Sequence, residues 1–264
     1  MEVRFERDPR DARIGRLTLS NPGKLNAISV AMWRALREHA LALDGASPPL
    51  HAVIVGGEGG AFAAGADIAE FPAFRFDVET LRDYHEHTIA PALHALLASD
   101  VPLVAQIDGA CVGGGLEIAS CCDLRIAGFD ARFGAPIARL GFPMAPDELA
   151  VVLAAAGRAS AAELLLEARL LDAPTALARG LVHRLVDDPA GEAFATAQRI
   201  AELPREVARA NKRTLRQLAG GGVAHDQRHA HFSYAGAAHH REGVEAFIAR
   251  RAPRFDLRGD ETND

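Results

Sequence analysis

The stretch Gly113-Gly114-Gly115-Leu116-Glu117 sets three glycines and an acid where a short apolar run gives way to a helical pattern. Backbone N–H groups at a helix start lack an intrahelical acceptor, and glycine lets a ligand approach them closely. Glu117 follows Gly114 by three residues, less than one helical turn, so its carboxylate can project back over the same amides. That combination suits a developing oxyanion with a proton donor or acceptor beside it. It equally suits a plain glycine turn with Glu117 as a first-turn acid favoured by the helix dipole. The segment Ala61-Phe62-Ala63-Ala64-Gly65-Ala66-Asp67-Ile68 repeats the theme: small residues around Gly65 expose the Ala66 amide, and Asp67 can cap the next turn. A tight loop without a ligand is the other reading of that segment.

Two phosphate-binding motifs fail on the same residues. A dinucleotide fingerprint needs glycines at its first, third and sixth positions, whereas Gly109 is followed at 111 by cysteine and the triple glycine is contiguous. A phosphate loop needs Gly-Lys-Ser/Thr, and Leu116-Glu117 stands in that place. Other candidates are less specific. Pro146-Asp147-Glu148 reads as a proline and acids at the start of a helix before Leu149. His85, His87 and His94 suit a base, a nucleophile or a solvated helix face. The histidine-rich stretch around 225–240 lacks the convergent spacing of a metal site, and no metal is expected.

Around these groups the sequence sets out a series of short elements. Val3–Phe5 and Ile14–Leu19 read as a hairpin, Ser29 as the N-cap of a helix ending before Gly45, and Ala52–Val55 as a buried strand. A second helix is expected over Val78–Ala98, followed by a strand over Val101–Ile107, the glycine loop and a helix over Leu116–Cys122. Further strands are expected at Asp123–Ala127, Ala131–Phe133 and Leu181–Val186, with helices at Leu149–Ala156 and from Ala161 to Leu166. Beyond Gly191 the composition turns to long Ala/Glu/Arg-rich helical stretches, the last over Asp226–Arg250. The division expected is a strand-and-helix core over 1–190 and a helical region over 191–264.

Composition narrows the partners. The 264 residues, 49% hydrophobic and 24% charged, suffice for one large domain with a sizeable core. A net charge of -6 offers no general attraction to nucleic acid or anionic lipid. Cys111, Cys121 and Cys122 lie too close together to frame loops with disulfides, and the charged N-terminus lacks a secretion signal's apolar core, so a cytoplasmic protein is expected, with no membrane partner.

Taken in order, the motifs resemble the crotonase superfamily, the enoyl-CoA hydratase/isomerase family. The resemblance rests on Asn21-Pro22-Gly23-Lys24-Leu25-Asn26-Ala27, the 61–68 segment, Val101–Gly109, Gly113–Glu117 through Cys122-Asp123, Phe133-Gly134, Gly180-Leu181-Val182, Arg241–Phe247 and Pro253-Arg254-Phe255. It implies an α/β fold, a crotonase-type spiral of ββα units with a C-terminal helical trimerisation region, assembled as a homotrimer or dimer of trimers. It implies an acyl-CoA thioester substrate held between the amides of Ala66 and Gly114, with Leu25, Ala27, Ala64, Asp67 and Ile68 on the CoA-binding surface. Coenzyme A enters as part of the substrate and no separate cofactor is implied.

Hydratases of this family carry two glutamates that share a water. By position Glu117 is the first; the second belongs to a Phe-Gly-x-Pro-Glu segment that here reads Phe133-Gly134-Ala135-Pro136-Ile137. With Ile137 in that place, a single base suits isomerisation better than hydration, unless Asp147 or Glu148 supplies the missing acid. The competing expectation is an acyl-CoA-binding subunit that keeps the oxyanion loops and has lost turnover.

Overall fold

The computed structural model describes residues 1–255, so residues 256–264 of the expected helical region lie outside the described residues. The chain packs as two units, Met1–Gln198 and a second beginning at Arg199.

The first unit is built on strands β1 (Glu2–Asp8), β2 (Asp11–Ser20), β3 (Ala52–Gly57), β4 (Leu103–Ile107), β5 (Ala110–Val112), β6 (Leu124–Ala127), β7 (Arg132–Gly134), β8 (Leu170–Asp172) and β9 (Arg184–Leu185). Six of them form one sheet in the order β1-β2-β3-β4-β6-β9, antiparallel between β1 and β2 and parallel thereafter. The other three form a small sheet, β5-β7-β8. Parallel neighbours need crossover connections, and helices α1 (Val30–Ala42), α2 (Val78–Asp83), α3 (Ala90–Ala98) and α4 (Gly114–Cys121) lie in those connections.

Apolar alternation explains the packing. Leu17, Leu19, Val53, Val55, Leu103 and Ala105 join Met32, Trp33 and Leu36 of α1 and Leu93 and Leu96 of α3 in one buried core. Ser29 caps α1, its side chain accepting from Met32 N at 3.2 Å, as its position before the helical pattern predicts.

Three expectations change. The single helix over Val78–Ala98 is interrupted by a π-helical turn at Tyr84–Ile89. The two helices expected at Leu149–Ala156 and from Ala161 to Leu166 are present as the two halves of α5 (Pro146–Leu166), divided by a kink at Gly157 (φ 71°, ψ 161°). Although α5 is long and apolar enough by length and composition to cross a membrane, that break interrupts it and Glu148, Val151, Val152 and Ala156 are buried. The strand at Leu181–Val186 shrinks to β9, because the amides of Leu181 and Val182 both donate to Ala176 O at the end of α6 (Ala173–Ala178). α7 (Pro189–Ala201) crosses the boundary between the units.

The second unit holds α8 (Arg205–Ala219), α9 (His225–Ala230) and α10 (Ala238–Ile248). The helix expected over Asp226–Arg250 is divided there by a 3-10 turn at His231–Gly236.

The C-terminal end of α4 is held by a buried cation. Arg125 on β6 donates through Nη1 to Cys122 O at 2.5 Å and Ala119 O at 3.3 Å, and through Nε to Leu181 O at 2.7 Å. A guanidinium there complements the negative end of the helix and ties α4 to the segment before β9. Arg125→Met leaves these buried carbonyls without their donor. It is expected to lower unfolding stability by about 3 kcal/mol, read from the midpoint of urea denaturation.

Candidate active site

Two loops meet at the N-terminus of α4, and backbone hydrogen bonds fix their meeting. Ala63 is bound on both sides to β5: its N–H donates to Ala110 O at 2.8 Å and its carbonyl accepts from Val112 N at 2.9 Å. Ile28 N donates to Gly65 O at 2.7 Å while Ile28 O accepts from Asp67 N at 2.9 Å. In this parallel bridge the skipped residue, Ala66, turns its own N–H away from Ile28. Gly114 opens α4, so its amide has no intrahelical acceptor. Both residues line the same cavity, of about 310 Å³.

Glycine permits this approach. Gly65 and Gly113 have positive φ, 103° and 52°, and their backbones pack together; a Cβ on Gly113 would sit 3.4 Å from Gly65 Cα. A Cβ on Gly115 would strike the Ala63 carbonyl oxygen.

A buried asparagine pair secures the third loop. Asn26 Nδ2 donates to Glu58 O and Ala61 O, both at 2.8 Å, its Oδ1 accepts from Asn21 N at 3.0 Å, and Asn21 Nδ2 donates to Ala27 O at 2.7 Å. Leu25 O accepts from Ala64 N at 2.9 Å. Asp67 caps the following 3-10 turn and pairs with Lys24 Nζ at 2.6 Å, which holds its carboxyl below the usual range. Ala64 and Ile68 line the cavity; Leu25, Ala27 and Asp67 belong to the loops that frame it.

Two carboxylates reach this cavity from different helices. Glu117, in the first turn of α4, is 5% exposed, and Glu148, in the first turn of α5, is 4% exposed. Burial pushes the Glu117 carboxyl well above the usual range, Glu148 pushes it further, and Arg75 pulls it back. Glu148 Oε1 lies 2.5 Å from His85 Nδ1; with Glu148 ionised, the ring N–H donates to it. Asp147, by contrast, is exposed and outside the cavity lining. Pro146, Asp147 and Glu148 open α5, and the phase of the helix decides which of the two acids turns inward. Ile137, standing where the resemblance puts a second glutamate, lines the cavity too.

The π-turn brings Tyr84 and His85 to the cavity, while His87 is exposed beside Asp83 and His94 is exposed. Burial and the two glutamates raise the Tyr84 phenol above its ordinary range. Phe71, Arg75 and Phe142 complete one wall. Sequence reasoning missed Tyr84 and this trio; the run Phe71-Pro72-Ala73-Phe74-Arg75-Phe76, an arginine among aromatics, was the signal available. Among the described residues no group of three His, Cys, Asp or Glu side chains could hold a metal ion.

The family model for enoyl-CoA hydratase/isomerase matches residues 10–258. The chain belongs to the enoyl-CoA hydratase/isomerase family. It is 35% identical over 255 residues to a protein of Mycobacterium tuberculosis named "Probable enoyl-CoA hydratase", a match covering 94% of this chain and 96% of that one. The solved structure of an enoyl-CoA hydratase/carnithine racemase from Magnetospirillum magneticum superposes with a TM-score of 0.89 at 36% identity, covering 96% of this chain and 94% of that one. An enoyl-CoA hydratase from Mycobacterium smegmatis gives 0.81 at 28% identity, covering 96% and 98%. The crotonase fold expected from the motifs is thus the fold of this chain, and within the hydratase/isomerase family its second cavity carboxylate sits on α5.

The raised Glu117 carboxyl has a consequence for stability. Below the ordinary glutamate value of 4.5 the group is protonated whether folded or not, and its burial carries no charge penalty. As pH rises from there toward the folded value, the unfolded chain ionises first and folding stability falls. Glu117→Gln removes that loss, so the variant is expected to gain in melting temperature over the wild type at pH 8, with the gain shrinking toward pH 4. Paired thermal melts across that range check the sign; a variant less stable at pH 8 than at pH 4, relative to wild type, contradicts it.

Proposed function

We propose that this protein transfers a proton at the α carbon of an enoyl-CoA thioester through an oxyanion-stabilised enolate. The observation that carries the reading is the convergence of Glu117, Glu148 and the Ala66 and Gly114 backbone on one cavity. In the proposed complex the thioester oxygen accepts from the Ala66 and Gly114 amides, as the family resemblance implies. Donors aimed at a developing oxyanion matter most in the transition state, and loss of one typically costs about 3–4 kcal/mol.

Two carboxylates in unlike settings can divide the acid and base roles. In this reading Glu117, kept protonated by burial, is the acid at the α carbon, and Glu148, hydrogen-bonded by His85, is the base. For water addition, the water oxygen bonds to the β carbon as Glu148 accepts its proton. The double-bond electrons move onto the thioester oxygen, and collapse of that enolate takes the Glu117 proton at the α carbon. Proton exchange with solvent then restores both groups. Glu148 thereby replaces the carboxylate that Ile137 lacks, and the hydratase names of the relatives support water addition over double-bond migration. The reaction needs no cofactor, because CoA arrives with the substrate. His85 is a positioning residue, acting through Glu148.

Mass spectrometry of an enoyl-CoA panel incubated in deuterated water tests the assignment. The wild type is expected to give a product heavier by one water with deuterium at the α carbon, and Glu117→Gln and Glu148→Gln are each expected to slow it by about 10²- to 10⁴-fold. Unchanged turnover in Glu117→Gln would remove its acid role. Deuterium uptake with a shifted double bond and no added water would make the enzyme an isomerase. Tight binding of the whole panel without turnover would favour the binding-subunit alternative.

A further inference from the structure

One wall of the cavity holds a cation, Arg75, whose side chain has no hydrogen-bond or ion-pair partner among the described residues. Arg75 sits in the corner of two rings, its Cζ 3.7 Å from the Phe142 centroid and 4.3 Å from the Phe71 centroid. The rings stand at 70° to each other with centroids 6.2 Å apart. Ring faces attract a guanidinium through its flat sides, but they accept none of the hydrogen bonds that its edge offers. Arg75 Nε is buried and has no hydrogen-bond partner among the described residues. Glu117, Glu148 and Tyr84 act on Arg75 through space, and burial alone lowers its affinity for the proton. Arg139, the other arginine of the lining, is different: it is exposed and donates to Ala168 O at 2.8 Å.

The surroundings say what such a group would meet. Trp33, Ile89, Val112, Ile137, Leu140 and Met144 make much of the remaining wall apolar. A saturated hydrocarbon tail filling this space would cover a half-buried guanidinium with methylenes and displace water from its unpaired donors, which is unfavourable. A planar guanidinium seated in a corner of two aromatic rings, with Nε unpaired on its edge, is arranged for a planar, two-oxygen acceptor. Sharing the cavity with Glu117 and Glu148 ties that acceptor to the acyl end of the thioester, away from the phosphates of CoA. A protonated Glu117 reduces the repulsion that an added anion would feel.

We propose that Arg75 is a specificity-determining residue which binds a carboxylate at the far end of the acyl chain, making the preferred substrates CoA monothioesters of unsaturated dicarboxylic acids. The inference rests on the reading of this cavity as the acyl pocket of an enoyl-CoA enzyme.

Two paired comparisons test it. Steady-state kcat/KM is measured for two six-carbon trans-2-enoyl-CoA thioesters, one ending in a methyl group and one in a carboxylate. Calorimetry then compares Kd for the two saturated counterparts, hexanoyl-CoA and adipyl-CoA, which require no chemistry. Wild type is expected to favour the carboxylate end at least tenfold in both measurements, and Arg75→Met to lower that ratio at least tenfold, with Arg75→Lys between them. Equal or methyl-favouring ratios in the wild type overturn the proposal without recourse to any variant, as does an Arg75→Met variant that binds both saturated thioesters with the wild-type ratio. If neither enoyl thioester is turned over yet adipyl-CoA still binds at least tenfold more tightly than hexanoyl-CoA, the catalytic reading fails and the Arg75 assignment stands.

Discussion

Two backbone amides can remain available to a ligand only where the rest of the chain around them has satisfied its own hydrogen bonds and can come close enough. In this protein that condition is met by the contact between the 61–67 loop and the β5–α4 junction. Ala63 is tied to β5 on both sides, and Ile28 is tied to Gly65 and Asp67, which leaves the Ala66 N–H turned away from Ile28 on a residue that lines the cavity. The contact depends on glycine at 65 and 113, where φ is positive, and at 115, where a Cβ would strike the Ala63 carbonyl. Much of the first unit serves it: β4 and β6 set the height of the glycine loop, Arg125 secures the far end of α4, and Asn21 and Asn26 brace the neighbouring loop.

Glu117 follows directly from that arrangement. It is carried into the cavity by the same first helical turn that presents the Gly114 amide, so amide and carboxyl cannot be moved independently. Its environment combines low solvent access with a second carboxylate, and both favour the neutral acid. Arg75 opposes this by its charge, and His85 engages the second carboxylate directly. The cavity thus brings the Arg75 cation beside two carboxyl groups of which, among the described residues, only Glu148 has a direct side-chain partner, His85.

Much of the scaffold could be read from residue spacing. The strands around the glycine loop, the Ser29 cap and the two glycine-containing turns are each announced by local chemistry: alternation, a capping hydroxyl, and glycines at points of positive φ. The remainder depends on contacts distant in sequence. Whether Asp147 or Glu148 faces inward follows from the phase of α5 against the core, and the two adjacent acids look alike until that phase is fixed. The π-turn that presents Tyr84 and His85 adds one residue to a helical repeat, which apolar periodicity in Val78–Ala98 does not reveal. Arg75 depends on Phe142, far along the chain, for the second ring of the aromatic corner it occupies.

The central claim is that Glu117 enters the reaction as a neutral acid because the fold keeps it protonated where a free glutamate would be ionised. Difference infrared spectroscopy between wild type and Glu117→Gln, followed from roughly pH 4 to 8, reads that state directly through the carbonyl stretch of a protonated carboxyl. The account predicts a protonated-carboxyl band, absent from the variant, that persists well above the ordinary glutamate value of 4.5. A Glu117 band that titrates at or below 4.5, leaving only carboxylate at neutral pH, would contradict it.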